Sequence, residues 1–244
     1  MTEKLHVDDA ELRELLHLVS HDLRNPLAAI VTNLEFARRL VVEEQVDQDL
    51  RESVEDSVVA CDVLKRVVAN FDVLAKGKDV NPTLGELGVA TVVLDVVRRC
   101  RERADQASLT IDVDDGGVTA QAMLDKSLFA LAIENLIANS IQHAPRNTSI
   151  TVKVTEDDRG IVVTVGDAGK GVPEDHRDAA MGATSHTPKG RLGPTRYGRG
   201  LSLLSAHAAS SLTGVAMELD GEDGAFVMRL IVPRGPTTTA ATSG

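Results

Sequence analysis

Ser20-His21-Asp22-Leu23-Arg24-Asn25-Pro26-Leu27 is the stretch from which this chain is best read. It lies in a longer run with apolar residues at Leu12, Leu15, Leu16, Val19, Leu23, Ile30, Leu34 and Ala37. Spacings of three and four predict a helix over residues 8–42 with one buried stripe. His21 and Asp22 fall beside that stripe, where an imidazole can meet solvent or a visiting partner. A neighbouring carboxylate that accepts a hydrogen bond from one ring nitrogen fixes the tautomer and makes the other nitrogen a better nucleophile. Asn25 comes one turn later on the same face. Pro26 lacks an N–H and crowds the carbonyl of Asp22, which predicts a bend at the histidine. Taken by itself, His21 also reads as an ordinary exposed helix histidine; the proline argues against that, since a helix interior gains nothing from it.

Outward from this helix, a polar break at 43–47 separates it from a second helical pattern over 47–76. The apolar positions there are Leu50, Val54, Val58, Cys61, Leu64, Val68, Phe71 and Leu74, close to a heptad. Two long amphipathic helices joined by a short loop make an antiparallel hairpin. One hairpin cannot bury two apolar stripes well, so a homodimeric four-helix bundle is its expected completion. Packing of the hairpin against the rest of the chain is the alternative. Lys76-Gly77-Lys78-Asp79-Val80-Asn81-Pro82 reads as a helix stop and linker. The expected division is a first domain at 1–78, a second at 82–234 and a disordered tail at 235–244.

Past the linker the pattern mixes helices with strands. Helices are expected over 89–104, 125–144 and 199–213, and strands over 109–113, 118–123, 150–155, 161–165, 215–220 and 225–233. Interleaved helices and adjacent strand pairs predict an α/β sandwich with a mixed sheet and helices on one face. The fold class is therefore α plus α/β.

Composition narrows the function. Aromatic residues make up 2% of the 244, with no Trp, which argues against stacking platforms for single-stranded nucleic acid. A net charge of −11 argues against a nucleic-acid surface. The two cysteines, Cys61 and Cys100, fit neither a disulfide framework nor a metal-ligand spacing. The sequence shows no membrane-length apolar run and no signal peptide, so a cytoplasmic protein without a membrane segment is expected.

Three further groups carry chemistry. Asn135 and Asn139 share one face of the 125–144 helix, and His143 adds a turn to it. Two such amides can hold a hydrated cation against phosphate oxygens, and magnesium suits oxygen ligands; two solvated amides are the plainer alternative. Asp167-Ala168-Gly169-Lys170-Gly171 follows a strand, and its glycines let backbone approach a ligand while the carboxylate can accept from an amine such as adenine's. Gly198-Arg199-Gly200-Leu201-Ser202-Leu203 opens a helix, whose first N–H groups favour an anion. The irregular segment 168–197 between them is rich in Lys, Arg and His within an acidic protein, as a mobile loop over a polyphosphate would be.

Taken in order, these motifs resemble the sensor histidine kinases of two-component systems, over residues 8–233. The first part resembles their dimerisation and histidine-phosphotransfer domain, with its H-box at His21. The second resembles their GHKL-type ATP-binding domain, with an N-box at 135–143, a G1-box at 167–171 and a G2-box from Gly198. The resemblance implies an ATP-dependent protein-histidine kinase that phosphorylates itself on His21 and passes the phosphoryl group to a response-regulator receiver domain. It implies that Asp22 activates the imidazole, that Asn25 helps orient water for dephosphorylating the regulator, and that Asn139 coordinates Mg²⁺ with Asn135 in support. It further implies that His143 covers the nucleotide, that Asp167 reads the adenine amine between Gly169 and Gly171, and that Gly198 and Gly200 hinge a lid. ATP and Mg²⁺ are then the expected cofactors, and a homodimer, a response regulator and a separate sensor or upstream regulator the expected partners. The chain also departs from the family. Ser202 replaces the third glycine of the G2-box, Gln142 and His143 replace a basic–aromatic pair, and no Phe lies between Pro173 and Pro188, where the F-box belongs. These departures keep a second reading open, a phosphorelay module or pseudokinase with a degenerate ATP domain.

Overall fold

The computed structural model describes residues 23, 26, 28–30, 32, 33, 36, 48–76, 81–169, 171, 201–220 and 225–233. These separate into two compact units, one up to Asp72 and the other from Val73.

In the first unit, residues 23, 26, 28–30, 32, 33 and 36 are helical, and α1 spans Gln48–Lys76. The Ser53 hydroxyl donates to the Asn33 carbonyl at 2.6 Å. These residues lie equally far on either side of position 43, so the contact is the one an antiparallel hairpin turning there would make. Ser53, Ala60 and Val67 on α1 are buried and recur every seven residues. The heptad stripe expected from sequence is offset from that line. Leu50, Cys61, Leu64, Phe71 and Leu74 are half-buried, and Val68 is 47% exposed. The 43–47 turn, and the predicted bend at His21 and Asp22, lie outside the described residues.

The second unit runs β1 (Gly85–Gly88), α2 (Val89–Gln106), β2 (Thr110–Asp114), β3 (Gln121–Leu124), α3 (Lys126–His143), β4 (Ser149–Asp157), β5 (Gly160–Asp167), α4 (Leu201–Leu212), β6 (Ala216–Leu219) and β7 (Phe226–Pro233). Five strands form one sheet in the order β2-β4-β5-β7-β6. The β2–β4 pair is parallel and the other pairs are antiparallel, so the sheet is mixed as expected. Strand periodicity sets its inner face: Ile150, Val152 and Val154 of β4, Ile161, Val163 and Val165 of β5, and Met228, Leu230 and Val232 of β7 all enter the core. All three helices cover that face. α2 presents Val89, Val92, Val93, Val96, Val97, Cys100 and Ala104, a three-and-four spacing that buries one side. Six of those are β-branched or otherwise modest helix formers, so packing outweighs propensity here. Phe129 of α3 is fully buried at the centre, and its truncation to Ala would cost about 3–5 kcal/mol.

β1 and β3 form a separate antiparallel pair, with Gly85 opposite Leu124. Gly85-Glu86-Leu87-Gly88 gives no strand signal in sequence, because two of its four residues are glycine and one is apolar. The short strand expected over 118–123 stands at Gln121–Leu124. Among the described residues neither Cys61 nor Cys100 is in a disulfide, and no helix is long and apolar enough to cross a membrane.

Candidate nucleotide site

Helix α3 is fixed at its start by Asp125. One carboxylate oxygen accepts from the Ser127 and Leu128 N–H groups at 2.9 and 3.0 Å, while the other accepts from Thr83 N–H at 2.7 Å. Two otherwise orphaned helix donors are satisfied, and the chain just after the linker is tied to the same cap. Arg99 and Arg103 of α2 approach Glu134 of α3 at 3.9 and 3.8 Å, adding a partly buried charge contact between the helices.

The expected site residues of α3 are not surface amides. Asn135 is fully buried and Asn139 is 8% exposed, so the plain solvated-amide alternative fails. Ser140, next in sequence, is also fully buried, whereas His143 in the last turn is exposed. Burying polar side chains on a helix is costly unless something pairs with them, which marks this turn as more than a core element.

β5 delivers Asp167 to the same place at its final residue. The carboxylate is 7% exposed, and its Oδ1 accepts from Gly169 N–H at 2.7 Å. A side chain at position 169 is excluded: its Cβ would lie 2.6 Å from Asp167 Oδ1 and 3.1 Å from the His143 carbonyl. Gly169 is thus wedged between the end of α3 and the carboxylate, and only glycine leaves both in position. Gly171 has φ +71°, a conformation that favours glycine, and its Cβ would lie 3.2 Å from the Ala225 carbonyl. The structure therefore brings the His143 end of α3 against Asp167 and Gly169 at the end of β5, with Gly171 just beyond and Asn139 and Asn135 one and two turns back along α3. His21, Asp22, Asn25, Gly198, Gly200 and most of the 168–197 segment lie outside the described residues.

Burial pushes the Asp167 carboxyl above its usual range, and the Ser140 hydroxyl, the Gly169 N–H and His143 pull it back only in part. The Ser140 hydroxyl stands close enough to favour the ionised carboxylate by hydrogen bonding, although neither its Oγ nor Asp167 Oδ2 has a hydrogen bond of full geometry among the described residues. A buried carboxylate with one oxygen anchored by backbone and the other lacking a partner among the described residues fits a ligand that offers an N–H donor, as an adenine amine does. The glycine wedge leaves the backbone bare beside it. Among the described residues no group of three or more His, Cys, Asp or Glu side chains could hold a metal ion alone. The donor set at hand, an asparagine oxygen, suits a magnesium ion that takes its remaining ligands from phosphates and water. Sequence motifs singled out neither Ser140 nor Asp125. The signal for Ser140 was its place beside Asn139 and one turn before His143, and for Asp125 a capping residue ahead of an apolar run.

The mixed sheet with helices on one face and this buried carboxylate beside two buried asparagines define an α/β domain of the nucleotide-binding GHKL class. Comparison with known proteins agrees. Residues 124–236 match the family described as histidine kinase-, DNA gyrase B-, and HSP90-like ATPase, and residues 11–79 match the His Kinase A (phospho-acceptor) domain. The sensor-like histidine kinase SenX3 of Mycobacterium tuberculosis is 25% identical over 170 residues, covering 68% of this chain and 40% of that protein. The sensor histidine kinase CssS of Bacillus subtilis is 26% identical over 248 aligned positions, covering 96% of this chain and 49% of that protein. The chain spans less than half the length of either relative. Among solved structures, the histidine kinase AdeS of Acinetobacter baumannii shares the fold with a TM-score of 0.58 at 16% identity, over 88% of this chain and 98% of that one. Full-length ShkA in complex with AMPPNP gives a TM-score of 0.54 at 19% identity, over 91% and 47%. The chain belongs to the sensor histidine kinases of two-component systems.

Proposed function

We propose that the chain is an ATP-dependent protein-histidine kinase that phosphorylates itself on His21 and then donates to a response-regulator aspartate. The observation that carries the reading is Asp167: one oxygen is held by Gly169, and the other is buried without a partner among the described residues, beside the helix bearing Asn135 and Asn139. In this reading Asp167 accepts from the adenine amine, Gly169 and Gly171 keep side chains out of the base's way, and His143 lies over the nucleotide. Asn139, supported by Asn135, holds the magnesium ion, which neutralises phosphate charge when bound. Gly198 and Gly200 hinge the lid.

The chemistry is a single displacement. One imidazole nitrogen of His21 attacks the γ-phosphorus of ATP, the bond to the β–γ bridging oxygen breaks, and ADP leaves. The proton on the other ring nitrogen is shared with Asp22, which keeps the attacking nitrogen unprotonated. Asn25 then serves the reverse duty, orienting water when the regulator is dephosphorylated. The domains divide at 78 and 82, and the hairpin pairs with a second copy. Support for pairing comes from α1, where the heptad stripe around Leu64, Val68 and Phe71 is only partly covered within one chain. A separate sensor or upstream regulator would supply the signal.

Incubation with Mg-ATP labelled at the γ-phosphate tests this. The product is a phosphoramidate, stable to base and labile to acid, and His21→Ala abolishes it while nucleotide binding persists. Labelling that survives in His21→Ala refutes the assignment. The absence of Phe between Pro173 and Pro188 favours a second reading, a relay module. A parent that binds nucleotide, stays unlabelled with ATP and accepts phosphate from a phosphorylated regulator would establish it.

A further inference from the structure

Ser140 is fully buried on α3, and its Oγ completes no hydrogen bond among the described residues. Ser57 and Ser210 instead donate back to the carbonyl four residues earlier, at 2.8 and 2.7 Å. Ser205 of α4 is buried and unpaired among the described residues as Ser140 is, but no carboxylate in that state is shown beside it. Asp167 Oδ2 is in the same state as Ser140 Oγ, buried and without a full hydrogen bond among the described residues. The two belong to one locality. Ser140 stands one turn before His143, whose carbonyl and Asp167 Oδ1 press on the same point of Gly169, and the Ser140 hydroxyl acts on the Asp167 carboxylate.

A buried polar atom without a partner is disfavoured, and two together call for a shared one. Oδ2 of an ionised carboxylate can only accept, whereas a serine hydroxyl can donate. The pair therefore complements a ligand edge that presents a donor beside an acceptor. Adenine has that edge on both sides of its amine, with ring nitrogen N1 on one side and N7 on the other. Guanine sets a carbonyl where adenine has the amine, and so turns an acceptor toward Oδ2.

We propose that Ser140 is a specificity-determining residue of the nucleotide site, donating its hydroxyl proton to the ring nitrogen next to the amine that Asp167 accepts. This deepens the nucleotide reading above and rests on it. No motif assigns a role to Ser140.

Equilibrium calorimetry on the full chain with ADP, 1-deaza-ADP and 7-deaza-ADP provides the test, since each analogue has carbon in place of one ring nitrogen. The parent is expected to bind one of the analogues about three- to tenfold more weakly than ADP, the range of one neutral hydrogen bond. Ser140→Ala should bind ADP more weakly by the same factor and no longer distinguish ADP from that analogue. Ser140→Cys, which keeps the volume but donates poorly, should behave likewise and replaces the alanine variant if that one does not fold. Melting curves without nucleotide report folding independently. Equal weakening toward all three ligands, or no weakening, overturns the role of Ser140 while leaving the site intact, provided Asp167→Asn still loses ADP. A folded parent that binds none of the three overturns the nucleotide reading along with it.

Discussion

Asp167→Asn is expected to separate stability from binding. In the parent, burial raises the carboxyl pKa above its usual range. A group whose pKa is raised on folding adds stability that is full below its unfolded pKa and is lost as pH climbs through the folded one. Near pH 7 the ionised Asp167 is therefore a net burden on the fold, and asparagine does not carry it. The amide can also keep the local geometry, because its one oxygen can take the Gly169 N–H that Oδ1 now accepts at 2.7 Å. Its NH₂ group then stands where Oδ2 was, facing the ligand amine donor to donor. The lost hydrogen bond to a charged acceptor is worth about 1.5–3 kcal/mol, or roughly ten- to 150-fold in affinity, and the opposed donors add to it. Urea unfolding near pH 7 should find the variant at least as stable as the parent, with its advantage shrinking as pH falls through the Asp167 pKa. Calorimetry with ADP should find the affinity loss, and the parent's affinity should fall with acid over that window while the variant's does not. A variant clearly less stable than the parent near pH 7, or one that binds ADP within threefold of it, would refute the reasoning.

Asp125→Ala should destabilise the second unit by about 1–2 kcal/mol in urea unfolding, because it leaves Ser127 and Leu128 N–H without their cap; Asp125→Asn should recover most of that. Leu64→Glu or Val68→Glu should shift the chain from dimer to monomer in sedimentation, since each would place an unpaired charge within the proposed seam. An unchanged dimer in both would move the interface to another face.

β4 was legible because its apolar side chains alternate in one register, and β5 and β7 because each is a short run rich in Val, Ile and Leu. α2 was legible from its apolar stripe at helical period, and α3 from a run rich in Leu, Ile and Ala long enough for a helix. β1 was not, since Gly85-Glu86-Leu87-Gly88 has too little apolar content to signal a strand and is held by pairing with β3 instead. The heptad on α1 was legible as a stripe, but its depth in one chain was not. The line Ser53–Ala60–Val67 is the buried one, and two of those side chains are too small or polar to stand out. At the site, glycine and asparagine spacing pointed to the right turn of α3 and the right end of β5. The burial of Asn135, Asn139 and Ser140 was invisible, because a polar residue in a helix reads as solvent-facing until the packing around it is seen.

That burial also explains why the site lies where it does. α3 is apolar on nearly every side and is gripped by the sheet beneath it and by α2 and α4 beside it, so its register cannot drift. Polar side chains on such a helix stay oriented, because turning them to water would mean withdrawing Phe129, Ile133, Leu136 and Ile137 from the core. Each of those large side chains contributes about 1.5–3 kcal/mol by burial, and together they outweigh the roughly 1–3 kcal/mol that an unmade buried hydrogen bond costs. The core thus holds Asn135, Asn139 and Ser140 in a geometry ready for a ligand, and a ligand that pairs with them need not order them first. A substitution that loosens the core should then lower nucleotide affinity before it unfolds the domain. Ile137→Ala, two residues before Asn139, is the place where that coupling would be greatest.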